Sequence, residues 1–221
     1  MTRVVVKCGG AVADGAAATV LALAEEHEVC VVHGAGPQIS AEMERRGLPV
    51  RFIGGRRVTS AEALDVVRES MAAVNGALCE ALGPRAAGLM GDEIGLLATP
   101  VPELGLVGDP IPTSPPPLEA ALAAGRIPVV APLASGPLNV NADEMAAAVA
   151  VGIGAARLVF LTDVPGLLLS GAVVPRIAAA DAEELLANDL LEGGILPKLR
   201  AAVSAARNGV EADLGETAVV A

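Results

Sequence analysis

Residues 4–10 read VVVKCGG, and the lysine in that run decides how the rest of the chain is read. Val4, Val5 and Val6 are β-branched, pack well in a sheet and read as the end of a buried strand. A charged side chain at its exit, Lys7, is costly unless water or an anion receives it. Gly9 and Gly10 let the backbone come close to a ligand and present N–H groups to it. The stretch is therefore a buried strand that opens either onto an anion site or into a solvated glycine turn.

The same grammar recurs along the chain. Apolar runs (RVVVKC, EVCVVHG, IPVVAPL, RLVFLTDV) alternate with Ala-rich helical stretches. The longest of these is EALDVVRESMAAVNGALCEALG, and PKLRAAVSAARNG comes near the end. Near-continuous apolar strands in β-α-β order predict an α/β fold, with a mainly parallel central sheet covered on both faces by helices. The proline-rich segment from Thr99 to Pro117 is expected to be a surface loop, an edge hairpin or a divider between lobes.

Composition narrows the function. The 221 residues suit one large domain or two lobes. Aromatic residues are only 1%, with no Trp or Tyr, which argues against binding nucleic acid by base stacking. A formal net charge of −11 argues against a general polyanion binder, but not against a small phosphate held by a few cations. Cys8, Cys30 and Cys79 are odd in number and widely spaced, which fits packed, reduced cysteines in a cytoplasmic protein. No run approaches the roughly 20 apolar residues of a membrane span.

In open α/β sheets ligands gather at the carboxyl ends of strands, and polar clusters follow each apolar run here. They are Gly9-Gly10, His33-Gly34-Ala35-Gly36-Pro37, residues 136–143 (GPLNVNAD) and Thr162-Asp163-Val164-Pro165-Gly166. GGRRVT at 54–59 and EGGILPK at 192–198 add two more. This collection suits phosphoryl transfer, in which placed cations and backbone N–H groups stabilise charge spread over the phosphoryl oxygens. Lys7 and Lys198 are the only lysines among fifteen basic residues, and both adjoin a glycine pair. His33 reads as a strand-end packing residue, and Glu25, Glu26 and His27 as a solvated helix end.

In order, VVVKCGG, VVHGAGPQIS, GGRRVTSAEALDVV, LGLVGD, LNVNADEMAAAVA, LVFLTDVPGLL and EGGILPKLRAAVSAARNGV resemble the amino acid kinase family over residues 3–210. Within it they resemble the members that phosphorylate N-acetyl-L-glutamate. The resemblance implies a three-layer αβα sandwich. Residues 1–135 would form an N-terminal lobe for the acyl-amino acid and for dimerisation, and residues 136–221 a C-terminal lobe for MgATP. It also implies a reaction, transfer of the γ-phosphoryl of ATP to the γ-carboxylate in arginine biosynthesis. Mg²⁺ would be carried by ATP, with no metal bound by the protein alone. Lys7 and Lys198 would stabilise the transferring group, with Asp143 organising both. Gly9, Gly10, Gly34, Ala35, Gly36, Arg57, Asn139 and Asn141 would bind the acceptor. Thr162, Asp163, Val164, Pro165, Gly166, Leu167, Leu168, Leu190, Leu191 and Glu192 would line the nucleotide pocket.

Each role has a plainer rival: a surface Arg57, turn-forming Asn139 and Asn141, and Asp143 as the N-cap of the next helix. Other readings are a same-fold kinase for another carboxylate, such as carrier-linked aminoadipate or glutamate, and a non-catalytic small-molecule-binding paralogue. Ala35 stands where the family has a glycine, which predicts a reshaped acceptor loop, and Leu169 stands where it usually has an acidic residue. The chain after Val210 is shorter than the family pattern, which predicts a trimmed ATP-lobe edge or a compact terminal strand. Little precedes the first strand, so the expected partner is a second copy in a homodimer without arginine feedback. Val66, Val67, Met71 and Val74 on the helix from Ala61 to Leu82 would either form that interface or pack inside the monomer.

Overall fold

The computed structural model describes residues 1–9, 13–162, 164–169, 171–188, 191 and 193–221, without the side chains of Ala13 and Asp14. The first half of the chain runs β1 (Arg3–Cys8), α1 (Ala13–Leu23), β2 (Glu28–His33), α2 (Gly36–Arg45), β3 (Phe52–Ile53), β4 (Arg56–Arg57) and α3 (Ala61–Leu82). It continues with β5 (Ala86–Met90), α4 (Gly91–Ile94), β6 (Leu97–Pro100), β7 (Val107–Ile111), α5 (Pro116–Ala123), β8 (Ile127–Ala131) and β9 (Leu133–Ala134). The second half runs β10 (Leu138–Val140), α6 (Ala142–Gly152), β11 (Arg157–Leu161), β12 (Leu168–Leu169), β13 (Ala172–Val173) and β14 (Arg176–Ala178). It closes with α7 (Ala179–Ala187), α8 (Ile195–Arg207), β15 (Glu211–Leu214) and β16 (Thr217–Val220).

Eight strands make one sheet in the order β14-β16-β15-β11-β1-β2-β8-β5. Every neighbouring pair is parallel except β15–β16, an antiparallel hairpin that carries the sheet out to β14. β1 lies mid-sheet, as its apolar run requires, because a central parallel strand is buried on both faces. Strand alternation then sorts its side chains. Val4, Val6 and Cys8 pack with α1 and the C-terminal part of α3, while Val5 packs on the opposite face with α6 and α8. Lys7 follows Val5 in alternation, so it faces the α6 side.

Helices cover both faces of the N-terminal half of the sheet. At the β11–β15 end one face carries charged side chains instead, with Arg157 paired to Asp213 and Arg176 to Glu211. Residues 97–111 form an antiparallel pair, β6–β7, within a separate four-stranded sheet, β6-β7-β10-β9. Pro100 ends the outer strand β6, and Pro110 lies in β7 beyond the two residues that pair with β10. β10, which lies just past residue 135, pairs with β7 and β9, so the strand carrying Asn139 belongs to this smaller sheet.

Of the two readings of the apolar stripe on α3, the internal one holds for Val66, Val67 and Met71. Val66 and Val67 are fully buried and Met71 nearly so, against Ile39 and Met43 of α2 and Leu133 of β9. Helix α3 has two apolar faces, one on the sheet and one under α2. Val74 is half-buried and packs against both clusters. The three cysteines are free. Burial pushes the Cys8 thiol up to about 11 and Cys30 up to about 12, leaving both protonated. Among the described residues no helix is long and apolar enough to cross a membrane.

Candidate active site

The register of the central strands sets the site. Lys7 lies opposite Phe160 and Val32, and Cys8 opposite Leu161 and His33. The loops after β1, β2 and β11 therefore leave the sheet at one level, which puts Gly9, residues 34–36 and Thr162 on the same rim. Gly34 is tied directly to β1, its N–H donating to the Cys8 carbonyl at 2.9 Å.

Three charged groups from distant parts of the chain meet there. Lys7 Nζ is 2.7 Å from Asp143 Oδ1, and Lys198 Nζ is 3.5 Å from Asp143 Oδ2. Lys7 and Asp143 are only 6% and 5% exposed, so neither charge has bulk water as an alternative partner. The Lys7 contact is close but off the hydrogen-bond axis, so Asp143 Oδ1 counts as an ion-pair partner without an aligned donor. A single carboxylate cannot satisfy the three N–H donors of each lysine. Lys7 lines the adjoining cavity, where an anion would take up the remaining donors.

Asp143 is free for this pairing because another residue caps its helix. The N-cap of α6 is Asn141, whose Oδ1 accepts from the backbone N–H of Asp143 at 2.9 Å and of Glu144 at 3.2 Å. Capping by Asp143 is thereby replaced. Asn141 lines the cavity, but its side-chain oxygen serves the helix and its Nδ2 donates to the Gly55 carbonyl at 3.2 Å.

The cavity, about 250 Å³, lies between the loop after β2, the β3–β4 hairpin and the start of α6. On one side is the N-terminus of α2, whose cap residue Ala35 offers no side-chain hydrogen bond. Ala35 takes φ −139°, outside the left-handed region that favours glycine. On the other side is Arg57, buried to 6% exposure. Its guanidinium donates to the Gly36 carbonyl at 3.1 Å and to Ser40 Oγ at 2.9 Å, and it lies over the Phe52 ring at 4.6 Å. Among the described residues no carboxylate pairs with it, and burial lowers its pKa. The surface reading of Arg57 is excluded by this burial. Asn139 Nδ2 donates to Thr59 Oγ1 at 3.0 Å, and Thr59 donates to the Arg57 carbonyl at 2.8 Å, so the two residues are parts of one buried chain of hydrogen bonds.

His33 is fully buried, and burial pushes its pKa down to about 4, which keeps it neutral. Asn75 Nδ2 lies 3.1 Å from His33 Nε2 and donates to the Val129 carbonyl at 2.7 Å. His33 thus packs at the end of β2 against Asn75 of α3, as its strand-end reading anticipates.

Among the described residues, none expected on the nucleotide side lines this cavity. Thr162 Oγ1 accepts from the Val164 N–H at 3.3 Å, which starts the loop. Leu167 is buried in the core, Leu168 is 48% exposed, and Leu191 is half-buried. The loop is held by the last strands: Leu167 N–H donates to Thr217 Oγ1 at 2.8 Å and Glu216 N–H to the Pro165 carbonyl at 2.8 Å. Gly215 has φ +58°, and a Cβ there would lie 2.6 Å from the Pro165 oxygen, so only glycine fits. Leu169 packs against the main core, which accounts for an apolar residue there. Four expected contacts, Gly10, Asp163, Leu190 and Glu192, lie outside the described residues. Phe52 and Thr217 are site residues that spacing alone does not mark: Phe52 acts through a ring contact with Arg57 across the hairpin, and Thr217 through a bond to Leu167, 50 positions away.

A mainly parallel αβα sheet with two lysines sharing one carboxylate at its carboxyl rim suits the phosphoryl-transfer class of protein. The chain belongs to the amino acid kinase family, whose model matches residues 2–213. Its relatives there are named acetylglutamate kinases. The Rubrobacter xylanophilus enzyme is 43% identical, over 96% of this chain and 88% of the relative. The Solibacter usitatus enzyme is 40% identical, over 95% and 88%. Among solved structures, smu.665 from Streptococcus mutans superposes with a TM-score of 0.90 at 28% identity, covering 99% of this chain and 98% of that one.

Proposed function

We propose that the protein transfers the γ-phosphoryl group of ATP to the γ-carboxylate of N-acetyl-L-glutamate, giving N-acetylglutamyl 5-phosphate in arginine biosynthesis. The observation that carries this is the pair of lysines held by Asp143 beside a cavity walled by a buried Arg57. The names of the relatives support the choice of acceptor. A guanidinium fork suits the α-carboxylate of an amino acid, with two charge-assisted hydrogen bonds. The apolar side chains of Ile39, Met71 and Val107 in the same cavity suit the methylene and acetyl groups.

In this reading an oxygen of the γ-carboxylate attacks the γ-phosphorus, the bond to the β-phosphate oxygen breaks, and ADP leaves. A carboxylate is ionised near neutral pH, so no general base is required. His33, neutral and buried, is given none of the proton chemistry. Lys7 faces the phosphoryl oxygens from the acceptor side and Lys198 from the nucleotide side. Asp143 keeps both ammonium groups pointed at one place, which is electrostatic preorganisation. The N-terminus of α8, led by Gly194 without a side-chain cap, presents N–H groups toward nucleotide phosphates. Mg²⁺ carried on the nucleotide would neutralise phosphate charge.

The acceptor side would comprise residues 1–135 with Asn139 and Asn141, and the nucleotide side the loop after β11, with its support from β15–β16. Cytoplasmic location and a homodimer complete the proposal, the dimer surface lying away from the buried face of α3. Sedimentation velocity tests the dimer. The activity is tested by trapping the acyl phosphate as a hydroxamate, with N-acetylglutamate set against glutamate, N-acetylaspartate and aminoadipate. Signal confined to N-acetylglutamate supports the proposal, and signal only with another carboxylate replaces the acceptor.

A further inference from the structure

The β3–β4 hairpin has two residues per strand and pairs with no other strand of either large sheet. Its turn, Gly54-Gly55, has φ +57° and +82°, the mirror-image geometry that a tight two-residue hairpin needs. A two-stranded hairpin of this size does not hold itself in water. This one nevertheless carries Arg57, the buried cation of the acceptor cavity. The bonds of Arg57 to Gly36 and Ser40 hold the hairpin on the α2 side, and Thr59 is bonded to Leu104 and Leu106, which leaves the tie to α6 to another residue.

Consecutive strand residues point to opposite faces, so Arg56 turns away from Arg57. Its Nε donates to both carboxylate oxygens of Glu144, at 3.0 and 2.9 Å, and its Nη2 donates to Asp109 Oδ1 at 2.7 Å. Glu144 directly follows Asp143 in the first turn of α6, and Asp109 lies in β7, beside the β10 strand that carries Asn139. Two further ties reinforce the contact. Asn141 Nδ2 holds the Gly55 carbonyl, and a Cβ on Gly55 would lie 3.7 Å from Pro197, the residue before Lys198. The Arg56 side chain is 21% exposed and that of Glu144 25%, so the ion pair is sheltered from full screening.

We propose that Arg56 is a positioning residue, a clamp that fixes the acceptor hairpin to the helix bearing Asp143 and so sets Arg57 relative to the paired lysines. It touches no reacting atom. Its effect is on how well the acceptor is received, which rests on the acceptor assignment above. The sequence carries the signal only as a doubled arginine, since one arginine alone would serve substrate binding.

The test compares wild type, Arg56→Gln, Arg56→Lys, Glu144→Gln and the Arg56→Gln/Glu144→Gln double variant in steady-state kinetics and amide hydrogen exchange. Hydrogen bonds to charged groups of this kind correspond to roughly a tenfold effect. Arg56→Gln should raise the acceptor KM about tenfold, and leave the ATP KM within about twofold and the thermal midpoint unchanged. Arg56→Lys should recover part of the loss, and the double variant should be no worse than the poorer single one. Amides of residues 53–57 should exchange faster in Arg56→Gln, while those of α6 and β1 stay as in wild type. Unchanged exchange at the hairpin, or both KM values and the thermal midpoint worsening together, would overturn the clamp. Wild type that fails to phosphorylate N-acetylglutamate would sink the acceptor assignment, and the exchange measurement would still judge the clamp.

Discussion

Replacing His33 by Gln tests whether the histidine at the end of β2 is buried and neutral. The ring is 0% exposed, and burial lowers its pKa from 6.5 to about 4. Because the native pKa is depressed, the unfolded chain binds a proton between pH 6.5 and 4 that the native chain refuses. Stability therefore falls as pH falls through that window, and the ring contributes nothing to pH dependence above pH 7. At roughly 1.4 kcal/mol for each tenfold change in proton affinity, His33 accounts for about 3 kcal/mol of loss by pH 4. His33→Gln keeps an acceptor for the Asn75 amide and has nothing to protonate. Glu42, Glu119 and Glu183, whose pKa values are also lowered in the native chain, are present in both proteins and cancel in the comparison. The assay is urea unfolding at pH values from 7.5 to 4. It is followed by far-UV circular dichroism, because the chain has no Trp or Tyr to report by fluorescence. The wild type should lose about 3 kcal/mol more than the variant across the series. Parallel curves would refute a dry, neutral His33.

Two other substitutions probe the two sides of the site. Asp143→Asn leaves Lys7 buried without its partner, which should cost about 3–5 kcal/mol in unfolding free energy and lower kcat. Adding Lys7→Met should restore part of the stability and none of the activity, and urea titration beside kinetics reads both. Thr217→Val removes the acceptor for the Leu167 N–H inside a fully buried site, a loss of about 1–3 kcal/mol. Its ATP KM should rise while the acceptor KM stays unchanged, and equal changes in both would separate the terminal hairpin from the nucleotide loop.

The parts of the fold that the sequence discloses are those in which one residue type has a single comfortable place. VVV and VCVV can be buried on both faces only inside a parallel sheet, and they form neighbouring central strands. A lysine closing such a strand needs a counter-charge, and the two lysines and Asp143 do meet. What stays hidden depends on which surfaces meet in three dimensions. The apolar stripe of Val66, Val67 and Met71 looks the same whether it faces a second chain or α2, and it faces α2. Asn141 and Asp143 are both good helix caps, and only the backbone geometry shows that Asn141 takes the cap. The smaller sheet joins β6 and β7 to β10, although α5 and β8 intervene in the chain, with too few residues per strand for a periodic signal. Arg56 and Thr217 are ordinary residues in their local sequence and gain their roles from partners 88 and 50 positions away.

The central claim is that a carboxylate oxygen of the acceptor attacks phosphorus in a site organised by Lys7, Asp143 and Lys198. N-acetylglutamate labelled with ¹⁸O in its γ-carboxylate tests it most directly. Hydroxylamine attacks the acyl carbon of the product, so the phosphate released keeps the bridging oxygen that came from the carboxylate. Phosphate carrying one ¹⁸O, formed by wild type and lost in Lys198→Ala, is the predicted result. Unlabelled phosphate, or labelled phosphate formed equally well by the variant, would contradict the account.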